Sequence, residues 1–289
     1  MRFIKTFVSC LVFIAICITI YVLLLDEKAS PVDIYHDEMV LIPDGTFYVS
    51  TATDSLSKAS QLIHVDSFYM DRHPVTVAQF RTFINETSYL TTAENFGDAG
   101  VFDHEERKWV LLEGATWLYP LGLDFPMAKD DHPVTQVSWH DAVAYCEWAG
   151  LRLPTAFEWE YAARNAGKIE NAIYPWNSNN VMEDGQYKAN FWQGAFPMQN
   201  TEKDGFKYTS PVGAFGSTPL GLQDMAGNVW EWCQDWERDT SKTKKIQRGG
   251  SFLCDTKVCH GFRVRASSAS TPETSLLNVG FRCVKNGAP

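Results

Sequence analysis

Two cysteines near the carboxyl end constrain this 289-residue chain more than any other feature. Cys254 and Cys259 are separated by four residues and follow the turn sequence Gly249-Gly250-Ser251. Thiols at this spacing suit a small disulfide, half of a zinc site, a redox pair or a two-thiolate site for a soft ion such as Cu(I). Zinc usually takes four ligands; His260 could be the third, but a fourth is not evident. The spacing alone leaves a plain disulfide and a functional thiol or metal pair equally open.

The composition predicts one sizeable globular core and excludes one class of partner. Hydrophobic residues make up 45% of the chain and aromatic residues 13%, which is enough for a single globular domain. The formal net charge is −10, and basic residues follow one another only in pairs such as Lys244-Lys245. Because phosphate backbones bind basic surfaces, we expect no nucleic-acid partner.

Residues 1–27 predict an N-terminal membrane anchor or signal segment. Arg2 and Lys5 precede residues 7–25, which carry no charge. This length is at the lower end for a membrane-spanning helix and long for the apolar part of a signal peptide, and cleavage after Ala29 is the alternative. The basic flank predicts a cytoplasmic N-terminus and an exported domain, in the periplasm or the lumen of the endoplasmic reticulum. Membrane contact is expected through this segment only.

Residues 28–38 are interpreted as a polar linker and residues 39–286 as the folded domain. Three helix starts are predicted by a capping hydroxyl with an acceptor side chain three residues later: Thr76 with Gln79, Ser138 with Asp141, and Thr155 with Glu158. Residues 90–129 show no sustained period and predict irregular loops. Asn85-Glu86-Thr87 is a glycosylation sequon in an exported domain.

Two longer motifs resemble one known family. The run RGGSFLCDTKVCHGFRVRASSASTPETSLLNVGFRC and the block QVSWHDAVAYCEWAGLRLPTAFEWEYAAR are similar to the C-terminal and central motifs of the formylglycine-generating enzymes, the oxidases that activate sulfatases. The resemblance covers about residues 39–284. It implies an α+β fold with low regular secondary structure, the formylglycine-generating-enzyme fold of the C-type-lectin-like superfamily.

The same resemblance implies an activity and a site. Cys254 and Cys259 would be the catalytic pair that holds Cu(I), with an open position for the cysteine of the substrate. That cysteine would lie in an unfolded CxPxR-type segment of a sulfatase polypeptide and would be oxidised by molecular oxygen to Cα-formylglycine. The implied substrate-binding residues are Ser251, Trp230, Ser275 and Asn278.

Two structural calcium sites are also implied by the resemblance. Loops with Asp, Asn and Gly are by themselves typical of ordinary turns, but calcium takes six to eight oxygens that include main-chain carbonyls. The implied ligand sets are Asn190, Phe191, Asp204 and Phe206, and Asp224, Gly227, Val229 and Glu231. Relatives usually have Asn where this chain has Asp224.

Five cysteines lie outside the N-terminal segment, and this odd number leaves at least one thiol free or paired between chains. The resemblance implies a disulfide between Cys146 and Cys283. Cys233 matches no functional position, and we expect a buried free thiol there.

The sequence departs from the family pattern beside the thiol pair. Many relatives have Tyr before the second cysteine and a Tyr-Arg-Tyr-Arg run after it, where this chain has Val258 and His260-Gly261-Phe262-Arg263. The departure leaves the accepted peptide sequence open. A non-catalytic binding paralogue on the same fold is the alternative function, although such members typically lack one or both thiols. The His-x-x-x-His-x-Glu motif of a related iron-dependent sulfoxide synthase is absent.

Overall fold

Short strands and few helices build this protein, whose computed structural model describes residues 39–50, 60–237, 241–259 and 261–287. The predicted N-terminal segment (1–27), the linker (28–38) and His260 lie outside these residues. Within the described ranges, no helix is both long and apolar enough to cross a membrane.

The described part of the chain contains four helices, α1 (Val77–Thr87), α2 (Thr92–Phe96), α3 (Trp139–Trp148) and α4 (Ala156–Ala163). Each begins with a complete capping box. The hydroxyl of the first residue accepts the main-chain N–H three positions later, and the side chain at that later position accepts the main-chain N–H of the first residue. The three predicted helix starts are therefore confirmed, and the box of Thr91 and Glu94 at α2 is an additional one.

Most strands are short. In chain order they are β1 (Met39–Ile42), β2 (Gly45–Ser50), β3 (Ser60–Val65), β4 (Phe68–Asp71), β5 (Asp98–Asp103), β6 (Lys108–Glu113), β7 (Met182–Glu183), β8 (Gln186–Tyr187), β9 (Gly194–Ala195), β10 (Gln199–Asn200), β11 (Trp230–Trp236), β12 (Lys245–Arg248), β13 (Ser267–Ser270), β14 (Val279–Gly280) and β15 (Val284–Asn286). A three-stranded sheet has the order β1-β4-β15, and a four-stranded sheet has the order β13-β12-β11-β14. The β11–β14 pair is parallel. The remaining described strands form two-stranded antiparallel pairs.

Residues 90–129 are more regular than the sequence predicts. They contain α2 and the β5–β6 hairpin, whose register runs from Asp98 opposite Glu113 to Asp103 opposite Lys108. The four central residues of β5 are all buried, so the strand lacks the alternation of polar and apolar residues that marks a half-buried strand. The prediction of irregular loops was wrong for this reason.

A buried ion pair ties the four-stranded sheet to the end of the chain. The Arg282 guanidinium donates to both carboxylate oxygens of Glu231 at 2.7 Å, and both side chains are fully buried. The Trp159 indole N–H donates to the same carboxylate at 2.6 Å. Separating the two charges would leave each of them buried without a partner, which is strongly destabilising. The cluster therefore holds α4, β11 and the segment after β14 in fixed positions relative to one another.

Candidate active site

The predicted thiol pair lies on the segment that joins β12 to β13. Cys254 and Cys259 are disulfide-bonded in the structure, with Cα atoms 5.1 Å apart. Cys254 belongs to the largest core cluster and is 2% exposed, whereas Cys259 is exposed to solvent. One cysteine is therefore anchored in the core, and the other lies at the surface.

Main-chain hydrogen bonds hold Cys254 on both sides. Its N–H donates to the Ser251 carbonyl at 2.9 Å, and its carbonyl accepts from the Trp192 N–H at 2.9 Å. Cys259 is held through a side chain instead, because its N–H donates to the Asp255 carboxylate at 3.1 Å. Asp255 was missed in the sequence, although an Asp that bonds the main chain a few residues later is a known turn-forming device.

Ser251 and Asn278 form a polar pair beside the buried sulfur. The Asn278 side-chain amide donates to the Ser251 hydroxyl at 2.9 Å, and this hydroxyl oxygen lies 4.0 Å from Cys254 Sγ. Both residues are buried. The buried Asn278 Oδ1 atom has no hydrogen-bond partner within the described residues.

Trp230 lies next to this polar pair. Its main-chain N–H donates to the Asn278 carbonyl at 2.9 Å, and its side chain is almost completely buried. A Cβ atom added to Gly261 would collide with the Trp230 ring and would lie 2.8 Å from Cys254 Sγ. The absence of a side chain at Gly261 therefore allows the indole to pack close to the buried sulfur.

Ser275 lies in a groove of about 260 Å³ whose walls are mostly apolar. The groove also contains the carboxylate residues Asp98 and Glu273. The buried Ser275 hydroxyl has no hydrogen-bond partner among the residues that the structure describes. Asp98 was missed because it begins β5, in the segment that the sequence predicted to be irregular.

The first predicted calcium set offers oxygens that suit a cation. Asn190 Oδ1 is buried and has no partner in the described ranges. The Asp204 carboxylate accepts N–H groups from Phe191 at 3.1 Å and Phe206 at 3.0 Å, and it accepts the Gln193 amide at 2.5 Å. Burial raises the pKa of Asp204 above its usual value in spite of these bonds. The Asp204 carboxylate bonds the N–H of the residue after Asn190. An unpartnered amide oxygen and a desolvated carboxylate are both oxygen donors of the kind that calcium takes.

The second predicted set, which lies in the turn before β11 and at the start of that strand, fits less well. Asp224 accepts the Gly213 N–H at 2.6 Å, and burial raises the pKa of Asp224 to about 6 against this bond and the nearby Arg282 charge. The Glu231 carboxylate already receives three donors, two from Arg282 and one from Trp159. Two of these donors belong to the positively charged Arg282 guanidinium, which repels a cation, whereas the three donors to Asp204 are neutral amides.

A structural zinc site at the thiol pair has no support in the described ranges. Within those ranges, the structure has no group of at least three His, Cys, Asp or Glu side chains that could hold a metal ion. His260, the third ligand considered from the sequence, lies outside the described residues. The donor chemistry of two thiolates suits a soft ion of low coordination number, once the disulfide is reduced.

Within the described ranges, the other three cysteines are buried thiols. The sulfur atoms of Cys146 and Cys283 lie 3.0 Å apart and are not bonded, so their disulfide stays a prediction. Burial, together with the neighbouring Cys146, raises the pKa of the Cys283 thiol well above its usual value. Cys233 is a buried free thiol, as predicted. The sequon residue Asn85 is exposed near the end of α1, and its glycosylation also stays a prediction.

A family model described as the sulfatase-modifying factor enzyme 1-like domain matches residues 26–287. The chain belongs to this family. The formylglycine-generating enzyme of Mus musculus, a member by name, is 40% identical over 285 residues, an alignment that covers 87% of this chain and 76% of the relative. The inactive C-alpha-formylglycine-generating enzyme 2 of Bos taurus is 37% identical over 267 residues, with 85% of this chain and 87% of the relative covered.

The fold class inferred from the sequence is also confirmed. The structure of PvdO from Pseudomonas aeruginosa superposes with a TM-score of 0.64 at 20% identity, covering 86% of this chain and 94% of that one. This likeness shows a shared fold. Because one relative is named a formylglycine-generating enzyme and another an inactive one, the function of this member depends on its site.

Proposed function

We propose that this chain oxidises a cysteine in a CxPxR-type segment of sulfatase polypeptides to Cα-formylglycine, with molecular oxygen as acceptor and Cu(I) as cofactor. The observation that carries the proposal is the pairing of a buried Cys254 with an exposed Cys259 in a chain of this family. An exposed cysteine bonded to an anchored one would allow a peptide thiol to approach the pair from solvent.

The thiol pair suits Cu(I) after reduction of the disulfide. Two thiolates are soft donors, and a two-ligand site leaves a position open for the peptide sulfur. When bound, Cu(I) supplies the one-electron chemistry by which molecular oxygen reacts with the peptide cysteine. The overall reaction balances when two external thiols supply two electrons: a peptide CH₂–SH group, O₂ and two thiols give the aldehyde, H₂S, water and one disulfide.

Residues around the pair have separate proposed roles. Cys259 meets the peptide thiol, because it is the exposed member of the pair. Trp230 and the Gly261 backbone limit access of water to Cys254. The Ser251 hydroxyl, oriented by Asn278, places a polar group 4.0 Å from the buried sulfur.

The groove beside Ser275 suits the arginine of a CxPxR segment. Asp98 and Glu273 place two carboxylates in a mostly apolar groove, and a guanidinium pairs well with a carboxylate in such surroundings. Ser275 and Asn278 are only three positions apart, so the chain leads from this groove to the polar pair beside Cys254. The groove and the thiol pair together would fix the peptide at two points.

The cofactor and compartment proposals extend this function. Two calcium ions would cross-link loops that have little regular secondary structure, and the main-chain bond from Asn228 to the Asn190 carbonyl already joins the two calcium loops. A disulfide between Cys146 and Cys283 would suit an exported domain. The N-terminal segment would supply the export signal or the anchor.

The deciding experiment compares the wild-type chain with Cys259→Ser. A CxPxR peptide is incubated with protein, Cu(I), oxygen and a dithiol reductant, and the product is followed by mass spectrometry. We expect aldehyde formation by the wild-type chain and by the Cys233→Ala control, and none by Cys259→Ser, with all three proteins folded. A wild-type chain that binds the peptide but never forms the aldehyde would establish the non-catalytic alternative.

A further inference from the structure

Asp255 is a buried carboxylate inside the loop that the two cysteines close. It follows Cys254 directly and is 3% exposed. Its Oδ1 atom accepts two main-chain N–H groups, from Val258 at 2.6 Å and from Cys259 at 3.1 Å. One carboxylate oxygen of Asp255 therefore holds the main chain of both Val258 and Cys259.

The placement matters because the loop must keep two sulfurs close in two different states. In a disulfide the sulfurs are about 2 Å apart. Two metal–thiolate bonds of about 2.3 Å each, the value for zinc, hold the sulfurs at most about 4.6 Å apart. Without a bond between the sulfurs, a loop whose exposed residues are Thr256, Lys257 and Val258 needs another constraint to stay within this range.

We propose that Asp255 is a positioning residue of the thiol pair. Its two hydrogen bonds fix the turn from 255 to 259, so that the Cys259 sulfur remains near Cys254 when the disulfide is reduced. The effective concentration of one thiol toward the other is then set by this turn. The inference deepens the proposed function and rests on it for its catalytic consequence.

The test measures the thiol–disulfide equilibrium of the pair without peptide or copper. Protein is equilibrated in mixtures of reduced and oxidised dithiothreitol, a two-electron, two-proton exchange, and the oxidised fraction is read by thiol alkylation and mass spectrometry. We expect Asp255→Ala to lower the equilibrium constant for forming the disulfide about tenfold, because both main-chain bonds are lost. Asp255→Asn keeps an oxygen acceptor at the same place and should stay within about threefold of the wild-type value.

The chain offers a matched control in another turn. Asp103 Oδ1 accepts the N–H groups of Glu105 at 2.8 Å and Glu106 at 2.9 Å, so Asp103→Ala removes the same type of interaction away from the thiol loop. We expect its equilibrium constant to equal that of the wild-type chain. Should Asp255→Ala fail to fold, Asp255→Glu replaces it, because the longer side chain displaces the acceptor.

Two results would overturn the positioning role. One is an equilibrium constant for Asp255→Ala, or for Asp255→Glu in its place, that equals the wild-type value. The other is an equilibrium constant for Asp255→Asn that is as low as that of Asp255→Ala. A second measurement determines the affinity of each protein for Cu(I) alone, by competition with a coloured chelator. We expect the Cu(I) affinities of the variants to follow the same order as their disulfide equilibrium constants. Failure of the proposed function is separate: if no protein forms aldehyde while the thiol equilibrium shifts as expected, the positioning role stands and the oxidase function falls.

Discussion

Asn278 donates a side-chain hydrogen bond of 2.9 Å to Ser251, 27 positions earlier in the chain. The Ser251 hydroxyl oxygen lies 4.0 Å from Cys254 Sγ. A polar pair from two distant segments is thereby built against the buried sulfur, in surroundings otherwise rich in aromatic side chains.

Ser251→Ala is expected to lower kcat/KM for a CxPxR peptide about tenfold, because the Asn278 amide loses its acceptor and remains buried. Peptide oxidation followed by mass spectrometry checks the value. Ser267→Ala, on the exposed surface of β13, should change kcat/KM less than twofold. Equal rates for Ser251→Ala and the wild-type chain would show that the pair has no part in the reaction.

Gly261→Ala is expected to destabilise the protein by about 1–3 kcal/mol, because the added methyl group overpacks the contact with the Trp230 ring and Cys254. Urea denaturation gives the free energy of unfolding. In a double variant with Trp230→Phe, the smaller ring should make the added methyl less costly, so the two changes should not be additive. If the two changes in the free energy of unfolding were additive, the methyl group at position 261 would not be strained against the Trp230 ring.

Removal of calcium is expected to lower the Tm. A single site at a calcium concentration of 100 times its Kd stabilises the fold by about 2.7 kcal/mol. Calorimetry with calcium and with EDTA measures the difference, and Asp204→Ala should reduce it by removing a ligand of the first set. The exposed Asp124→Ala variant serves as control. A wild-type Tm that EDTA leaves unchanged would refute the calcium sites.

Acid is expected to destabilise the fold through His132. Burial lowers the pKa of this histidine below 6.5, with Lys129 acting in the same direction and Asp131 against it. The unfolded chain therefore binds the proton more readily, so stability is present above pH 6.5 and is lost as the pH falls through the folded pKa. His132→Gln should reduce the loss between pH 7 and 5 in urea denaturation, whereas the half-exposed His140→Gln should not. Equal pH dependence in all three proteins would contradict this role.

Oxidation is expected to join Cys146 and Cys283, whose sulfurs are 3.0 Å apart. Peptide mapping without reductant should recover the linked peptides, with Cys233 unpaired. Under conditions that reduce this bond but leave the fold intact, the free energy of unfolding should fall by about 2–4 kcal/mol. Recovery of both cysteines as free thiols after oxidation in air would contradict the prediction.

Local patterns were sufficient for much of the architecture. The capping boxes at Thr76, Ser138 and Thr155 were predictable because a capping hydroxyl and its acceptor lie within four residues. The β5–β6 hairpin was not, because β5 is buried along its centre and shows no alternation. Period-based inference fails where packing covers both faces of a strand.

The sequence by itself determined the thiol pair, its spacing and the family motifs around it, since these are properties of contiguous residues. Only the tertiary structure decided that Cys254 is buried while Cys259 is exposed, that Asn278 meets Ser251, and that Asp98 shares a groove with Ser275. Burial and contact between distant residues depend on how the whole chain packs, and no short segment contains that information.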